Sequence, residues 1–474
     1  MVGNIGRLLI LTLTLAPWLN AQERPVAFVD VTVAPMDKAE ILPHQTVVVV
    51  GERIAQVGPF ASVKVPRGAL TIDGKGKFLM PGLADMHVHF IRPAITEKFQ
   101  PSTPNDRSVS TRSPASVSND YERENQALGL LFVANGITTV RNMWGDPAIN
   151  TFAKEIDSGR ALGPHIYSTG PITDGNPPEW GGSRVVETQS QAEEAVRRDK
   201  EAGYVALKVY SQLSVDAYNW LVSAARAQGL PVVGHMPFAV GLRGAIAAHQ
   251  DSIEHLQRGF WAGLQPNNSV APVTSAKLLV EGADLGKLPA LVESIRSAHT
   301  WICPTLVLYQ ILPDDSERQG RIALVPPAIL QRYGRMYPER DTVFTLRAYK
   351  LNISITRALH QGGAQLLLGT DATKSNVLPG FSLHEELQHF VEAALTPYEA
   401  IRAGTSDAAK FLHQENEFGV VKTGLRADLL LVEGNPLDDV KNVSNRAGVM
   451  VNGRWITQEA LASKLAALKA SYQH

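Results

Sequence analysis

Short apolar runs separated by longer segments of helical period dominate the middle of this chain. The runs are Phe78 to His89, Thr138 to Met143, His165 to Thr169, Val205 to Tyr210, Val232 to His235, Ser252 to His255, Ile302 to Leu308 and Leu366 to Thr370. Continuous apolar runs of this length read as strands buried on both faces. Behind most of them lies a helical pattern, clearest in Val215 to Gln228 and Leu351 to Gln361. Eight such alternations predict an α/β protein whose parallel strands close into a (β/α)8 TIM barrel. An open doubly wound sheet is the fallback, and no Gly-x-Gly-x-x-Gly fingerprint supports it.

The two ends carry a different pattern. Val26 to Val33 and Thr46 to Val57 alternate or run in β-branched residues, with a turn signal at Gly51-Glu52. Ala427 to Val432 and Val449 to Val451 do the same near the other end. Asn452-Gly453, between Val451 and Trp455, is a strong hairpin turn. The expectation is a small composite β-sandwich from residues 22–80 and 420–460, beside a barrel over 81–419, with a helix or tail over 461–474. Two segments interrupt the alternation. Residues 92–118 are rich in Ser, Thr, Pro and Asn and follow the first barrel strand, where they would form either a lid or a mobile surface excursion. Leu312 to Asp341, with Pro326-Pro327, leaves the seventh strand.

Ahead of all this, Arg7 supplies a positive charge, Leu8 to Leu19 an apolar core, and Ala21 a small residue before Gln22. Residues 1–21 therefore read as a signal peptide and predict export, periplasmic or secreted. The rival is a retained anchor, disfavoured by the shortness of the run and by Pro17, so no stable membrane span is expected after cleavage. Forty-five basic residues against 46 acidic ones, a formal net charge of -1, lack the basic excess of a nucleic-acid binder. The partner this leaves is a small-molecule substrate, and the composition is compatible with a homo-oligomer. Cys303 is the single cysteine, which excludes an intramolecular disulfide. Its apolar neighbours in Trp301-Ile302-Cys303-Pro304 mark a buried structural thiol. Asn267, Asn352 and Asn442 each begin a match to the glycosylation pattern.

Candidate chemistry gathers at the strand ends. In His87-Val88-His89 alternate residues face one side, so both imidazoles point inward, and two imidazoles at this spacing reach one zinc-like ion. Lys208 is embedded in Ala206-Leu207-Lys208-Val209-Tyr210, where a buried ammonium must be paired or altered. His235, His255 and Asp371 each close an apolar run at its carboxyl end, the face on which barrel enzymes build their sites. Singly, each has a bland reading as a core histidine, a salt-bridged lysine or a helix cap. Together, residues at the ends of five of the eight runs are not explained that way. Trp144 ends the second run, Trp180 follows the third, and Tyr210 shares the inward face of Lys208. They predict an aromatic wall for the substrate, with aromatics packed on the rim as the alternative. His165 opens the third run, away from the strand ends; His249, His360 and His413 read as helix-surface residues. His384 and His389 follow the last run, and His384 reads as a helix-start residue.

The set Pro81-Gly82-Leu83-Ala84-Asp85-Met86-His87-Val88-His89, Lys208, His235, His255 and Gly369-Thr370-Asp371 resembles the amidohydrolase superfamily. So do Gly424-Leu425-Arg426-Ala427-Asp428-Leu429 and Gly434-Asn435-Pro436-Leu437, and the likeness points to its prolidase-like and imidazolonepropionase-like branches. The resemblance implies two divalent metal ions, with zinc the expected metal. His87, His89 and Asp371 would bind the more buried ion, and His235 and His255 the second. Lys208, carboxylated by carbon dioxide to a carbamate, would bridge both. A hydroxide shared between the ions would be the nucleophile. Asp371 would take its proton and pass one to the leaving nitrogen, with the second metal, or a donor such as Tyr210, polarising the scissile carbonyl. Asn142 departs from the acidic residue often found at its position. The expected activity is hydrolysis of a C–N amide bond in a dipeptide or N-acyl amino acid. Alternatives are a cyclic amidohydrolase acting on imidazolone-like rings, against which Lys208 counts, and an ester or lactone hydrolase. A metal-free scaffold is the non-enzyme alternative, against which the complete ligand set counts.

Overall fold

Residues 24–92, 114–266, 275–336, 341–373 and 377–472 are described by the computed structural model. The signal peptide, residues 93–113 of the expected lid and the match at Asn267 lie outside the described residues. The end of that lid segment is the start of a helix, Pro114–Ala134.

Five strands open the described chain: β1 (Val26–Val33), β2 (Leu42–Val50), β3 (Arg53–Pro59), β4 (Leu70–Asp73) and β5 (Phe78–Pro81). A parallel series follows: β6 (Leu83–Val88), β7 (Ile137–Asn142), β8 (His165–Ser168), β9 (Thr173–Asp174), β10 (Arg184–Val185), β11 (Leu207–Val209), β12 (Val232–Gly234), β13 (Ser252–Glu254) and β14 (Trp301–Cys303). The last three are β15 (Leu429–Val432), β16 (Arg446–Val451) and β17 (Arg454–Thr457).

The strands of the two chain ends join one eight-stranded sheet, in the order β17-β16-β15-β5-β1-β2-β3 with β4 on β1. Two facing sheets were the expectation. The reason for one lies in β1, which pairs β4 through Val26 to Val29 and β5 through Thr32 and Val33. Register shifts at Val31 let it bend between them, as bulges do where a strand serves two halves of a fold. Asn452 and Gly453 both adopt positive φ, 52° and 70°, the geometry of the hairpin turn their sequence predicts.

The parallel strands form two runs, β6-β7-β8 and β10-β9-β11-β12-β13-β14. Backbone hydrogen bonds cross both gaps between the runs. Val205 N–H donates to Ser168 O and Gly170 N–H to Ala206 O. On the other side, Leu367 N–H donates to Ile302 O, Met86 N–H to Leu368 O and Asp371 N–H to His87 O. Leu366 to Thr370, expected as the eighth strand, and the two residues after it thus lie between β14 and β6 through isolated bridges at Leu366 and Ala372 rather than a full ladder.

Two strand boundaries differ most from the sequence reading. Phe78 to His89 is not one strand: Gly82 divides β5, in the eight-stranded sheet, from β6 in the parallel series. A Cβ on Gly82 would lie 2.1 Å from Thr138 Oγ1, so only glycine permits the crossing there. The seventh run does not reach Leu308 as a strand. Pro304 lacks an N–H and Thr305 has φ 49°, and Leu306–Tyr309 turns into a 3-10 helix. The expected helices are present, Val215–Ala227 capped by Ser214 Oγ on Ala217 N–H, and Thr342–Gln361 nine residues longer at its start than its periodicity suggests. Gln458–Ala470 is the expected terminal helix. Asn352 is fully buried and accepts from Trp261 Nε1, which removes it as a glycosylation acceptor. Among the described residues no helix is long and apolar enough to cross a membrane.

Candidate metal centre

Strand ends of the parallel series converge on Asp371, which is fully buried. Its Oδ1 lies 3.0 Å from His89 Nε2 and 3.6 Å from His87 Nε2, and its Oδ2 lies 3.7 Å from His255 Nε2. The imidazoles form a chain of neighbours: ring centres of His89 and His87 are 5.3 Å apart, His87 and His255 4.5 Å, His255 and His235 5.0 Å. Two members of the cluster, His255 and Asp371, sit in the left-handed region with φ 68° and 67°. Non-glycine residues held there, together with Thr305 beside them, mark a site where the surroundings override a local backbone cost.

The hydrogen bonds behind these rings decide which nitrogen faces the centre. His87 Nδ1 lies 2.8 Å from Glu254 Oε2, and a carboxylate only accepts, so Nδ1 carries the proton. Thr305 spends its hydroxyl proton on Pro304 O, so at 2.8 Å it accepts from His255 Nδ1–H. His235 Nδ1 pairs with Ser211 Oγ at 3.1 Å. The outward nitrogens are thereby committed, and the Nε2 atoms of His87 and His255 present lone pairs to the centre. This is the arrangement of metal-bound histidines, each oriented by an outer partner. Burial and the Lys208 ammonium hold the His87 imidazole well below its usual pKa, which keeps it neutral as a ligand must be.

The donor set fits a bound ion. His87 Nε2 is buried with no hydrogen-bond partner, a cost that an ion removes. Ligand atoms of His87, His89 and Asp371 all lie within 4.8 Å of one another. A second group, His87, Glu254 and Cys303, meets the same spacing but is poorly suited. Glu254 already accepts from Arg141 and Ser252 as well as His87, and burial pushes the Cys303 thiol well above its ordinary range, keeping it protonated.

Lys208 is buried, with Nζ 5.8 Å from the Tyr210 ring centre. Tyr210 stacks on His235 at 3.9 Å and 23°, and its hydroxyl accepts from Trp180 Nε1 at 2.6 Å. Trp144, Trp180, Tyr210 and Ile172 pack as one cluster, and the Arg92 guanidinium lies 3.3 Å from the Trp144 ring centre. The three predicted wall residues are thus brought together. Asn142 serves the backbone instead: it accepts from Phe90 N–H and donates to Trp144 O and Ser168 Oγ. His165 pairs with Asp157 and His384 with Asn135 O, each apart from the cluster.

Sequence reasoning missed the layer beneath. Arg141 donates to Met86 O, Ser252 Oγ and Glu254 Oε1, and the Arg141–Glu254 pair is fully buried. Asp85 accepts from Thr370 Oγ1 and N–H and from His87 N–H, while burial raises its pKa to about 7. Arg141 carried the same signal as Lys208, a charge inside an apolar strand. Asp85 shares the parity of His87 and His89.

The chain belongs to the amidohydrolase family, whose model matches residues 78–456. It is 23% identical over 405 residues to the ochratoxinase of Aspergillus niger, covering 77% of this chain and 72% of that one. It is 26% identical over 301 residues to the imidazolonepropionase of Caulobacter vibrioides, covering 54% and 69%. A crystal structure of a Xaa-Pro dipeptidase with methionine bound in its active site superposes with TM-score 0.64 at 22% identity, covering 91% of this chain and 100% of that one. At that identity the superposition carries the fold.

Proposed function

We propose that this chain is a metal-dependent hydrolase of C–N amide bonds, acting on dipeptides or N-acyl amino acids. The observation that carries the reading is the run of four neighbouring imidazoles, three of which face one buried carboxylate, with the Nδ1 atoms of His87, His235 and His255 hydrogen-bonded elsewhere. In this reading 22–80 and 420–460 form a composite β unit. Residues 81–419 form a (β/α)8 barrel closed through 366–372, which the backbone hydrogen bonds to Ile302 and His87 favour.

His87, His89 and Asp371 would hold one divalent ion and His235 and His255 a second, with Lys208 bridging as a carbamate; an imidazole-rich donor set suits zinc. Bound divalent ions supply Lewis acidity and lower the pKa of water to about 7. Asp371 accepts the proton of the attacking water and returns it to the leaving nitrogen. The acyl carbon gains the hydroxyl as the C–N bond breaks. Tyr210, positioned by Trp180 and by its stack on His235, donates its O–H to the carbonyl oxygen. Trp144 and Trp180 wall the substrate from water.

The test is a library of dipeptides and N-acyl amino acids presented to zinc-loaded protein, with esters, lactones and imidazolones as controls. Amide cleavage and two ions per chain by elemental analysis are expected. Turnover of the controls alone, or one ion or fewer after reconstitution with bicarbonate, overturns the reading.

Glu254 offers a separate check. Glu254→Gln is expected to weaken metal binding about 10–100-fold, because the amide orients His87 less firmly. Glu254→Ala strands the Arg141 guanidinium and should cost about 3–5 kcal/mol of stability. Chelator competition and denaturant titration measure the two. Unchanged metal affinity in Glu254→Gln would remove Glu254 from the orientation of His87.

A further inference from the structure

Glu386 is fully buried on the helix Phe381–Glu392, and the chemistry above does not use it. Each of its carboxylate oxygens takes one main-chain N–H: Oε1 accepts from Leu306 at 2.9 Å and Oε2 from Val307 at 2.8 Å. These are the first two N–H groups of the 3-10 helix Leu306–Tyr309, for which that helix holds no acceptor. The next one, of Leu308, reaches Thr305 O. Thr305 stands where a capping residue belongs, yet its side chain makes no capping bond. Its hydroxyl is turned to the metal centre instead, donating to Pro304 O and accepting from His255 Nδ1–H. Glu386 supplies from a distant helix the cap that Thr305 gives up.

The clamp bears on a strained point. Thr305 has φ 49° and ψ 55°, and a β-branched residue keeps the left-handed conformation only where its surroundings impose it. Ahead of it the chain is fixed by the bond from His255 N–H to Cys303 O. After it the chain is fixed by Glu386. With the second anchor lost, the turn can relax and carry the Thr305 hydroxyl away from His255 Nδ1. The same helix also grips the far end of the segment. Gln310 Nε2 donates to Glu385 Oε2 at 2.7 Å, and Gln310 Oε1 lies 2.9 Å from His389 Nε2. The two Glu386 bonds go to main chain and not to an imidazole, so its influence on the centre passes through Thr305.

From this we infer that Glu386 is a positioning residue: through the Leu306 and Val307 amides and Thr305 it sets the ring of His255, and with it the ion that His235 and His255 would share. The inference deepens the metal-centre reading above and rests on it for that ion alone.

The first readout is the imidazole itself. In metal-free protein labelled with 15N-histidine, long-range 1H–15N spectra give the tautomer of each ring, and His255→Ala identifies the signals of His255. The parent is expected to hold His255 as the Nδ1–H tautomer. Glu386→Gln keeps an acceptor for one N–H and sets an amide against the other, and should move His255 toward a mixture of tautomers while His87 stays as it was. Should Glu386→Gln not fold, Glu386→Asp, which keeps the charge and draws it back from both N–H groups, serves the same comparison. Zinc affinity by chelator competition is the second readout. Thr305→Val removes the acceptor outright and should weaken one of the two ions about 10–100-fold. Glu386→Gln should weaken the same ion about three- to tenfold, leave the other unchanged, and add nothing on top of Thr305→Val, because both act through one hydrogen bond. An unchanged His255 ring, equal losses at both ions, or a loss that adds fully to that of Thr305→Val overturns the positioning role. A shifted His255 ring in a protein that takes up no second ion sustains it and overturns the two-ion reading alone.

Discussion

Asp371→Asn is expected to lower kcat by roughly 10²–10⁴-fold, the range for loss of a general acid–base group, without unfolding the protein. The substitution isolates the proton-transfer role. An amide keeps the shape of the side chain and one oxygen able to meet an ion, but it cannot accept the proton of the attacking water. The backbone tolerates the change as well. Asp371 has φ 67°, and asparagine is among the residues that enter the left-handed region most readily. Its N–H bond to His87 O, which ties residues 366–372 to β6, is made by the main chain and survives. Circular dichroism, melting temperature and metal content should therefore match the parent while turnover collapses. A variant with near-parental kcat would take Asp371 out of proton transfer and leave it as a ligand only.

Much of the site was legible because its residues stand at the ends of buried strands, where hydrophobic pattern and strand parity locate them together. His87 and His89 follow from alternation in one run. Lys208 follows from the cost of an ammonium among Ala206, Leu207 and Val209. Arg141 carried that same signal, yet its partner could not be read from it. Glu254 lies 113 positions away and meets it only when strands cross the interior. His255 and Glu254 are consecutive, and alternation would turn them to opposite sides; the positive φ of His255 is what lets both serve the centre. Glu386 is illegible for a related reason: its partners are main-chain N–H groups of Leu306 and Val307, far back in the chain. Hydropathy also ran straight through Gly82 and Pro304, because an apolar residue scores alike in either sheet or in a 3-10 turn. What divides the strand at Gly82 is the close approach of Thr138, a contact between segments rather than a local preference.

Lys208→Ala is expected to lose the metal pair and at least about 10²-fold in activity together, the largest effect of any single change to a non-acidic residue here. Lys208 is buried, and its charge already acts on His87. As an ammonium beside two dications it would suffer both desolvation and repulsion, which work in the same direction. As a carbamate it carries negative charge and two oxygens suited to ions roughly 3.5–4 Å apart. Gly234 bears on the fit: its φ of +129° and a Cβ position 2.2 Å from Val209 O and 3.0 Å from Lys208 Cδ leave that stem a channel only a glycine provides. Were Lys208 the bridge, alanine at 208 would vacate it, and acetate or propionate added with metal should restore part of the rate by occupying it. Arginine at 208 fills the space with a guanidinium that cannot be carboxylated, so the same acids should restore nothing. Metal content by elemental analysis and rate with and without added acid distinguish the cases. Lys208→Arg retaining both ions and substantial turnover would rule out the bridge and make a single-ion centre at His87, His89 and Asp371 the better account.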